Sequence, residues 1–327
     1  MAAMAEAEIL VDVENLTRRF PRCEALGSVS FHVRRGEIAG VLGPNGSGKT
    51  TTLRILAGYL APTSGRVQVA GFNVTTHSLD VRRRIGYLPE TVPLYPEMRV
   101  EEYLAFRGRI KGLRGIRLTM RLRETIEQCG LGDTSQRAIG TLSRGFRQRT
   151  GLADCLLHEP AVLLLDEPLA GLDPAQSQIV RDLLRDLGAT RAVLFSTHVL
   201  AEAEHLCQRV MILNAGRLAA MDSPAHLVQA ATRLHAELLA PQNLLAPAIE
   251  GLPGAQDIHL HPLSEGWCAV SIRTGPADLR PQLAALATEH QWPLRELRLD
   301  TKGFEETFLR LTTPPPRVQN PRKRRTR

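Results

Sequence analysis

The stretch IAGVLGPNGSGKTTTLRILAGYL, residues 38–60, decides how the rest of the chain is read. Ile38–Leu42 is an unbroken apolar run of strand length, Gly43–Thr50 is GPNGSGKT, and an apolar helix-forming segment follows. Strand, glycine-rich loop and helix, in that order, match G-x-x-x-x-G-K-[ST] in the setting that gives the motif its chemistry. The glycines let successive backbone N–H groups face one anion, and the helix start adds a favourable dipole. Lys49 is then expected at the β- and γ-phosphates of a nucleotide and the Thr50 hydroxyl at Mg²⁺. Gly43, Pro44, Asn45, Gly46, Ser47, Gly48 and Thr51 complete the cradle.

Such a site also needs a carboxylate for the metal and a group that orients water. The sequence VLLLDEP, residues 162–168, supplies both: Asp166 ends an apolar strand as the metal-side acid, and Glu167 follows it toward the γ-phosphate. The run VLLLD has no polar face, which predicts a strand at the sheet centre, buried on both sides. Two adjacent acids at a strand end facing solvent are the plain alternative. The loop upstream weighs against it.

Outward from these two segments, apolar runs alternate with helix-period segments over the first two-thirds of the chain, predicting α/β architecture with a largely parallel sheet. Strands are expected at residues 9–13, 28–33, 38–42, 66–69, 85–88, 162–165, 192–196, 210–213 and 218–221. Between Val100 and Cys129 the pattern turns Arg-rich and helical, with Leu104, Ile110, Leu118, Leu122 and Ile126 as its apolar face. This predicts a helical subdomain, about residues 98–158, inserted into an α/β unit spanning residues 1–230. Ser223 followed by Pro224 caps one more helix. Residues 231–311 then read strand, helix, strand, strand, helix, strand, the ferredoxin-like βαββαβ order, closed by a short helix near Phe304–Leu311.

The chain has 327 residues, with 41 Lys and Arg against 34 Asp and Glu, giving a net charge of +7. Six of the bases, and no acid, lie in the Pro-rich tail of residues 312–327, which has too little apolar content to fold alone. The body is therefore close to neutral, and a nucleic-acid partner is not expected from charge. With 43% apolar and 23% charged residues, collagenous and disordered classes are excluded for the chain as a whole. No uncharged apolar stretch approaches transmembrane length, and the N-terminus lacks the basic start and apolar core of a secretory signal. Cys23, Cys129, Cys155, Cys207 and Cys268 stand singly, a pattern expected of reduced thiols.

Upstream of VLLLDEP lies TLSRGFRQRTGLADCLLHEP, and downstream lie AGLDP and VLFSTHVL. With the loop and IGYLPE, these segments resemble, over about residues 8–222, the nucleotide-binding subunit of ABC transporters: phosphate loop, Q-loop, signature, Walker B, D-loop and H-loop in order. The resemblance implies a P-loop NTPase of ABC type, a mixed-sheet core with an inserted helical subdomain, followed by the small α+β ferredoxin-like domain. It further implies ATP and Mg²⁺ as cofactors. Ser143 and Gly145 match the signature residues that meet the γ-phosphate, in LSRGF where LSGGQ is commoner; Ser143 also suits a helix N-cap. His198 matches the H-loop histidine that bridges γ-phosphate and Glu167, the catalytic glutamate, while Asp173 matches the D-loop aspartate. Phe20 sits where the family stacks an aromatic on adenine, with a core Phe as the alternative. Glu90 stands where most members have Gln; its carboxylate can approach Mg²⁺ through oxygen but cannot donate as an amide does.

A single set of motifs implies a homodimer that sandwiches two ATP molecules, with separate transmembrane permease subunits. The wording IGYLPE, YPEM, LSRGFRQR and GLDP, with the ending GFEETFLRLT, resembles the exporter-type branch that includes gliding-motility and multidrug relatives. The expected location is cytoplasmic, peripheral on the inner face of the cell membrane, with the basic tail at anionic lipid. Leu94, Tyr95 and Met98 are candidate permease contacts, local core packing being the alternative. The rival reading is a soluble ABC ATPase acting on ribosomes or nucleic acid. His259 and His261 alternate on one strand face, but no further metal ligands are suitably spaced. The Arg107–Arg123 segment reads as a solvated helical face, with lipid heads or a permease as alternatives.

Overall fold

In the computed structural model, which describes residues 7–274, 278–300 and 303–313, the first part runs β1 (Ile9–Phe20), β2 (Cys23–Arg34), β3 (Ile38–Leu42), α1 (Lys49–Leu56), β4 (Ser64–Val69), β5 (Phe72–Asn73), α2 (Ser78–Arg82) and β6 (Ile85–Leu88). The helices α3 (Val100–Ile110), α4 (Gly115–Gln128) and α5 (Arg144–Leu156) follow. The chain then re-enters the core through β7 (Val162–Asp166), α6 (Pro174–Gly188), β8 (Ala192–Thr197), α7 (Leu200–Leu206), β9 (Arg209–Asn214) and β10 (Arg217–Asp222). After α8 (Pro224–Ala231) come β11 (Arg233–Leu239), α9 (Gln242–Glu250), β12 (Ala255–Pro262), β13 (Trp267–Thr274), α10 (Arg280–Glu289), β14 (Leu294–Asp300) and α11 (Phe304–Thr312).

The expected strands of the first two-thirds divide between two sheets. β1, β2, β4 and β5 form an antiparallel sheet of order β2-β1-β4-β5, because the two-residue turn between β1 and β2 folds them into a hairpin. The second sheet has the order β10-β9-β3-β8-β7-β6 and is parallel except for the β9–β10 hairpin. The largely parallel sheet that was expected is this second one, and the antiparallel sheet stands beside it. β7 is buried along its whole length as its composition requires, but it lies one place from the β6 edge, and β3 and β8 occupy the centre.

Helix α1 is held between the two sheets: Leu53, Ile55 and Leu56 pack with Val41 of β3, Val67 of β4 and Leu164 of β7 in one buried cluster. Each such fully buried side chain contributes roughly 1.5–3 kcal/mol. The phosphate loop therefore ends on a helix whose start cannot drift. The other face of the parallel sheet joins a second cluster with Leu104 and Leu118 of the helical insertion and Leu152 of α5. Ile110, expected on that apolar face, is instead 61% exposed, because α3 ends there and the chain turns outward.

The C-terminal sheet has the order β12-β13-β11-β14, with every neighbouring pair antiparallel. Leu234, Leu238, Val270 and Ile272 on its inner face meet Leu245 and Ile249 of α9 and Leu283 of α10 in a core of their own. This is the ferredoxin-like arrangement. The sequence predicts this unit's second helix over residues 277–290; Ala277 lies outside the described residues, as do residues 314–327 of the tail. Helix α11 departs from the expected division at residue 311. Phe304 is buried in the ATPase cluster with Phe308 and Leu311 against it, and the Asn214 side-chain amide donates to the carbonyls of Leu311 and Thr312, both at 3.2 Å. The chain thus completes its C-terminal sheet and returns to the ATPase unit.

Candidate active site

The site stands at the carboxyl ends of the parallel strands, where a doubly wound sheet leaves backbone groups and side chains free to meet a ligand. Gly43 follows β3, Glu90 lies just past β6, Asp166 ends β7 with Glu167 next after it, and His198 follows β8. A cavity of about 470 Å³ is lined by Asn45, Gly46, Ser47, Gly48, Lys49, Thr50, Thr51, Glu90, Asp166, Glu167 and His198, together with Ala25 and Ala170.

Two glycines of the loop are required by close approach. A Cβ on Gly43 would lie 2.3 Å from the Leu213 carbonyl oxygen and 2.4 Å from Ser47 Oγ, and one on Gly48, whose φ is +108°, would lie 2.6 Å from Leu26. The Lys49 ammonium donates to the carbonyls of Gly43 at 2.7 Å and Pro44 at 3.2 Å, which folds its stem under the loop. Burial pulls its pKa below the ordinary lysine value, against the opposing influence of Glu167, Asp166 and Glu90.

Asp166 is fully buried at the strand end and accepts from Ser196 Oγ at 2.6 Å and Thr50 Oγ1 at 3.2 Å. The next residue turns sharply: Glu167 has φ +52°, a left-handed conformation that is unusual for a residue with a side chain. Its N–H donates to Ser196 Oγ at 3.0 Å and to the Ser196 carbonyl at 3.2 Å, which holds that conformation. The turn sends the Glu167 carboxylate to His198, whose Nδ1 lies 2.8 Å from Oε2. His198 is itself set by Thr197, which donates to Glu202 at 2.7 Å and accepts from the Val199 N–H at 3.0 Å. Burial raises the Glu202 pKa, and the bond from Thr197 opposes that shift.

The donor set fits a nucleotide with its metal. Ser47 Oγ is buried in the loop without a hydrogen-bond partner, a position a phosphate oxygen would satisfy. Lys49 offers a desolvated cation, and Thr50 and Asp166 present hard oxygen ligands side by side, the chemistry Mg²⁺ selects.

Comparison with known proteins agrees with this geometry. Residues 26–170 match the ABC transporter family. The uncharacterized ABC transporter ATP-binding protein YxlF of Bacillus subtilis is 44% identical over 209 residues, 64% of this chain and 69% of that protein. The Nod factor export ATP-binding protein I of Ralstonia nicotianae is 33% identical over 311 residues, 93% of this chain and 94% of that protein. The chain belongs to the ABC transporter family. A solved structure of the ATP-binding subunit of an ABC transporter superposes with a TM-score of 0.62 at 30% identity, covering 67% of this chain and 91% of that one. The chain is thus an ABC ATPase, the ATP-binding subunit of a transporter.

Not every expected residue of this ABC ATPase reaches the cavity. Ser143 caps α5, accepting from the Phe146 N–H at 3.5 Å, Gly145 packs against Gln176, and Asp173 caps α6 through the Gln176 N–H at 2.9 Å. None of the three lines the phosphate cavity. Phe20 is 37% exposed with the Arg18 guanidinium 4.6 Å above its ring, and it lines a neighbouring groove of about 510 Å³ that shares Thr51. Leu94 and Met98 pack against the core, whereas Tyr95 stays 46% exposed, its ring 6.0 Å from Tyr103 and 6.1 Å from Phe106. Ser196, which ties Asp166 to Glu167, was missed as a site residue although it lies in FSTH beside His198. Among the described residues no cluster of His, Cys, Asp or Glu could hold a metal by itself, and His259 pairs with Asp257 at 3.2 Å.

Proposed function

We propose that this chain hydrolyses ATP to drive a separate transmembrane permease, in the direction of export, and that it works as a homodimer with two nucleotides at the interface. The observation that carries the reading is the Glu167–His198 pair at the rim of a cavity floored by Lys49, Thr50 and Asp166. His198 holds Oε2, leaving the other carboxylate oxygen for a water molecule. Oriented by Glu167, that water attacks the γ-phosphorus in line as the bond to the β,γ-bridging oxygen breaks. Lys49 and the loop N–H groups offset the charge that gathers on the phosphoryl oxygens. With Nδ1 turned to the carboxylate, Nε2 of His198 is the ring atom left to meet a phosphate oxygen. Thr50 and Asp166, with Glu90 nearby, would hold Mg²⁺, whose chemistry there is to neutralise phosphate charge.

Ser143, Gly145 and Asp173 lie outside the cavity of their own chain. A second copy would supply them, with Ser143 and Gly145 completing each site. Export is favoured by the similarity to a Nod factor export protein along nearly the whole chain, C-terminal unit included. The permease contact is assigned to the groove lined by Tyr59, Tyr87, Pro93, Tyr103 and Arg107, where Tyr59 is 68% exposed. The tail's six bases are assigned to an anionic lipid surface. Capture of the tagged full chain from solubilised membranes tests this reading. It should recover a multi-span partner, lost on Tyr59→Asp; fractionation with ribosomes or DNA alone would contradict the reading.

A further inference from the structure

We propose that the tip of the α3–α4 hairpin docks on the anionic lipid surface of a membrane, guanidinium groups meeting headgroup phosphates while three apolar side chains enter the acyl boundary. From Tyr103 to Arg123 the sequence holds seven bases and no acid. Three of these bases are used inside the fold. Arg107 and Lys111 pair with Asp154, each at 3.0 Å, and buried Arg121 donates to the carbonyls of Leu156 and Leu157. At the tip, Arg109 and Arg114 are exposed and pair with no carboxylate among the described residues, and Arg117 reaches only exposed Glu159, at 3.5 Å.

Among these cations stand Ile110, 61% exposed, Ile116, 81%, and Met120, 56%. Ile116 and Met120 are four residues apart and so share one face of α4, while Leu118 and Thr125 are buried on the other. A merely solvated helix face does not gather large apolar side chains at its most exposed point. Free cations beside exposed apolar side chains are the composition of an interfacial membrane contact. Charge complementarity selects an anionic lipid surface over a neutral one. The position suits the proposed function, on which it rests only here: Tyr103 and Arg107 of the same α3 line the permease groove, so a seated permease would bring its bilayer toward the tip.

The test is flotation of the full chain with phosphatidylcholine vesicles, with and without phosphatidylglycerol, before and after deleting residues 314–327. Two variants are compared, Arg109→Gln/Arg114→Gln/Arg117→Gln and Ile110→Ser/Ile116→Ser/Met120→Ser. Each should lower the bound fraction on phosphatidylglycerol vesicles about tenfold, with or without the tail, while ATP turnover in solution stays unchanged and reports an intact fold. Binding that disappears with the tail but ignores both variants overturns the proposal, as does equal binding to pure phosphatidylcholine. Loss confined to native membranes, with pure vesicles unaffected, assigns the tip to a protein partner and also overturns it. Since the vesicles contain no permease, a failed permease assignment would leave these results standing.

Discussion

His198 Nδ1 lies 2.8 Å from Glu167 Oε2, joining the turns that end two adjacent parallel strands, β8 and β7. The Glu167 side chain is 13% exposed and that of His198 60%, so the histidine closes the solvent side of the carboxylate. Replacing it frees that carboxylate without altering the loop that holds nucleotide. His198→Ala should lower ATP turnover about 100-fold with nucleotide affinity within a few-fold of the parent. A parallel loss of binding, read by titration calorimetry, would place the histidine in nucleotide capture instead.

Glu90 lines the phosphate cavity and also a second cavity shared with Arg144, Arg147 and Gln148. Glu90 and Lys49 line the same cavity, and the Glu90 charge opposes the downward pull of burial on the Lys49 pKa. Glu90→Gln removes a negative charge there but keeps an oxygen. ATP binding should be retained or tightened, and a loss of binding would separate the two residue types functionally.

His158 donates from Nε2 to the Ile85 carbonyl at 2.9 Å, and its Nδ1 is buried without a partner. Burial foremost, then Lys111, lowers its pKa from the ordinary 6.5 to about 4. The unfolded chain takes up this proton near the ordinary value and the folded chain only near the depressed one. Stability is therefore complete above pH 6.5 and falls as pH drops toward 4, by up to about 3 kcal/mol. His158→Gln, which keeps a donor for Ile85, should flatten that part of the stability profile in urea melts. An unchanged acid dependence would assign the loss to other groups.

The return of α11 to the ATPase unit predicts that distant sequence stabilises the catalytic half. Phe304 is 3% exposed in the ATPase cluster, so Phe304→Ala should cost about 3 kcal/mol of stability. Limited proteolysis should then cut on either side of α11 while the C-terminal sheet stays protected. Equal loss of protection in that sheet would mean α11 belongs with it.

The residues whose work is local were legible in the sequence. Asp166 ends a strand, Glu167 and His198 follow strands directly, and Lys49 and Thr50 open the helix after the loop that leaves β3, so motifs beside apolar runs gave their place at the sheet's carboxyl end. The division into two sheets was not legible, since strand residues 9–13 and 38–42 look alike and only long-range pairing assigns them. Ser196 was hidden because a serine inside an apolar strand carries no signal until its neighbours are known; its hydroxyl matters through Asp166, 30 residues away in sequence. Helix α11 was misplaced for the same reason. Its apolar residues announce a buried face but not which of two cores receives it.

Glu167 is the group assigned to orient water, and Glu167→Gln tests that assignment most directly. The variant keeps the shape of the site and the strained turn at this residue while removing the charge. Purified with Mg²⁺ and ATP, it should bind nucleotide as tightly as the parent, hydrolyse it at least about 100-fold more slowly, and accumulate as a dimer only while ATP is present. Turnover within a few-fold of the parent would contradict the central claim.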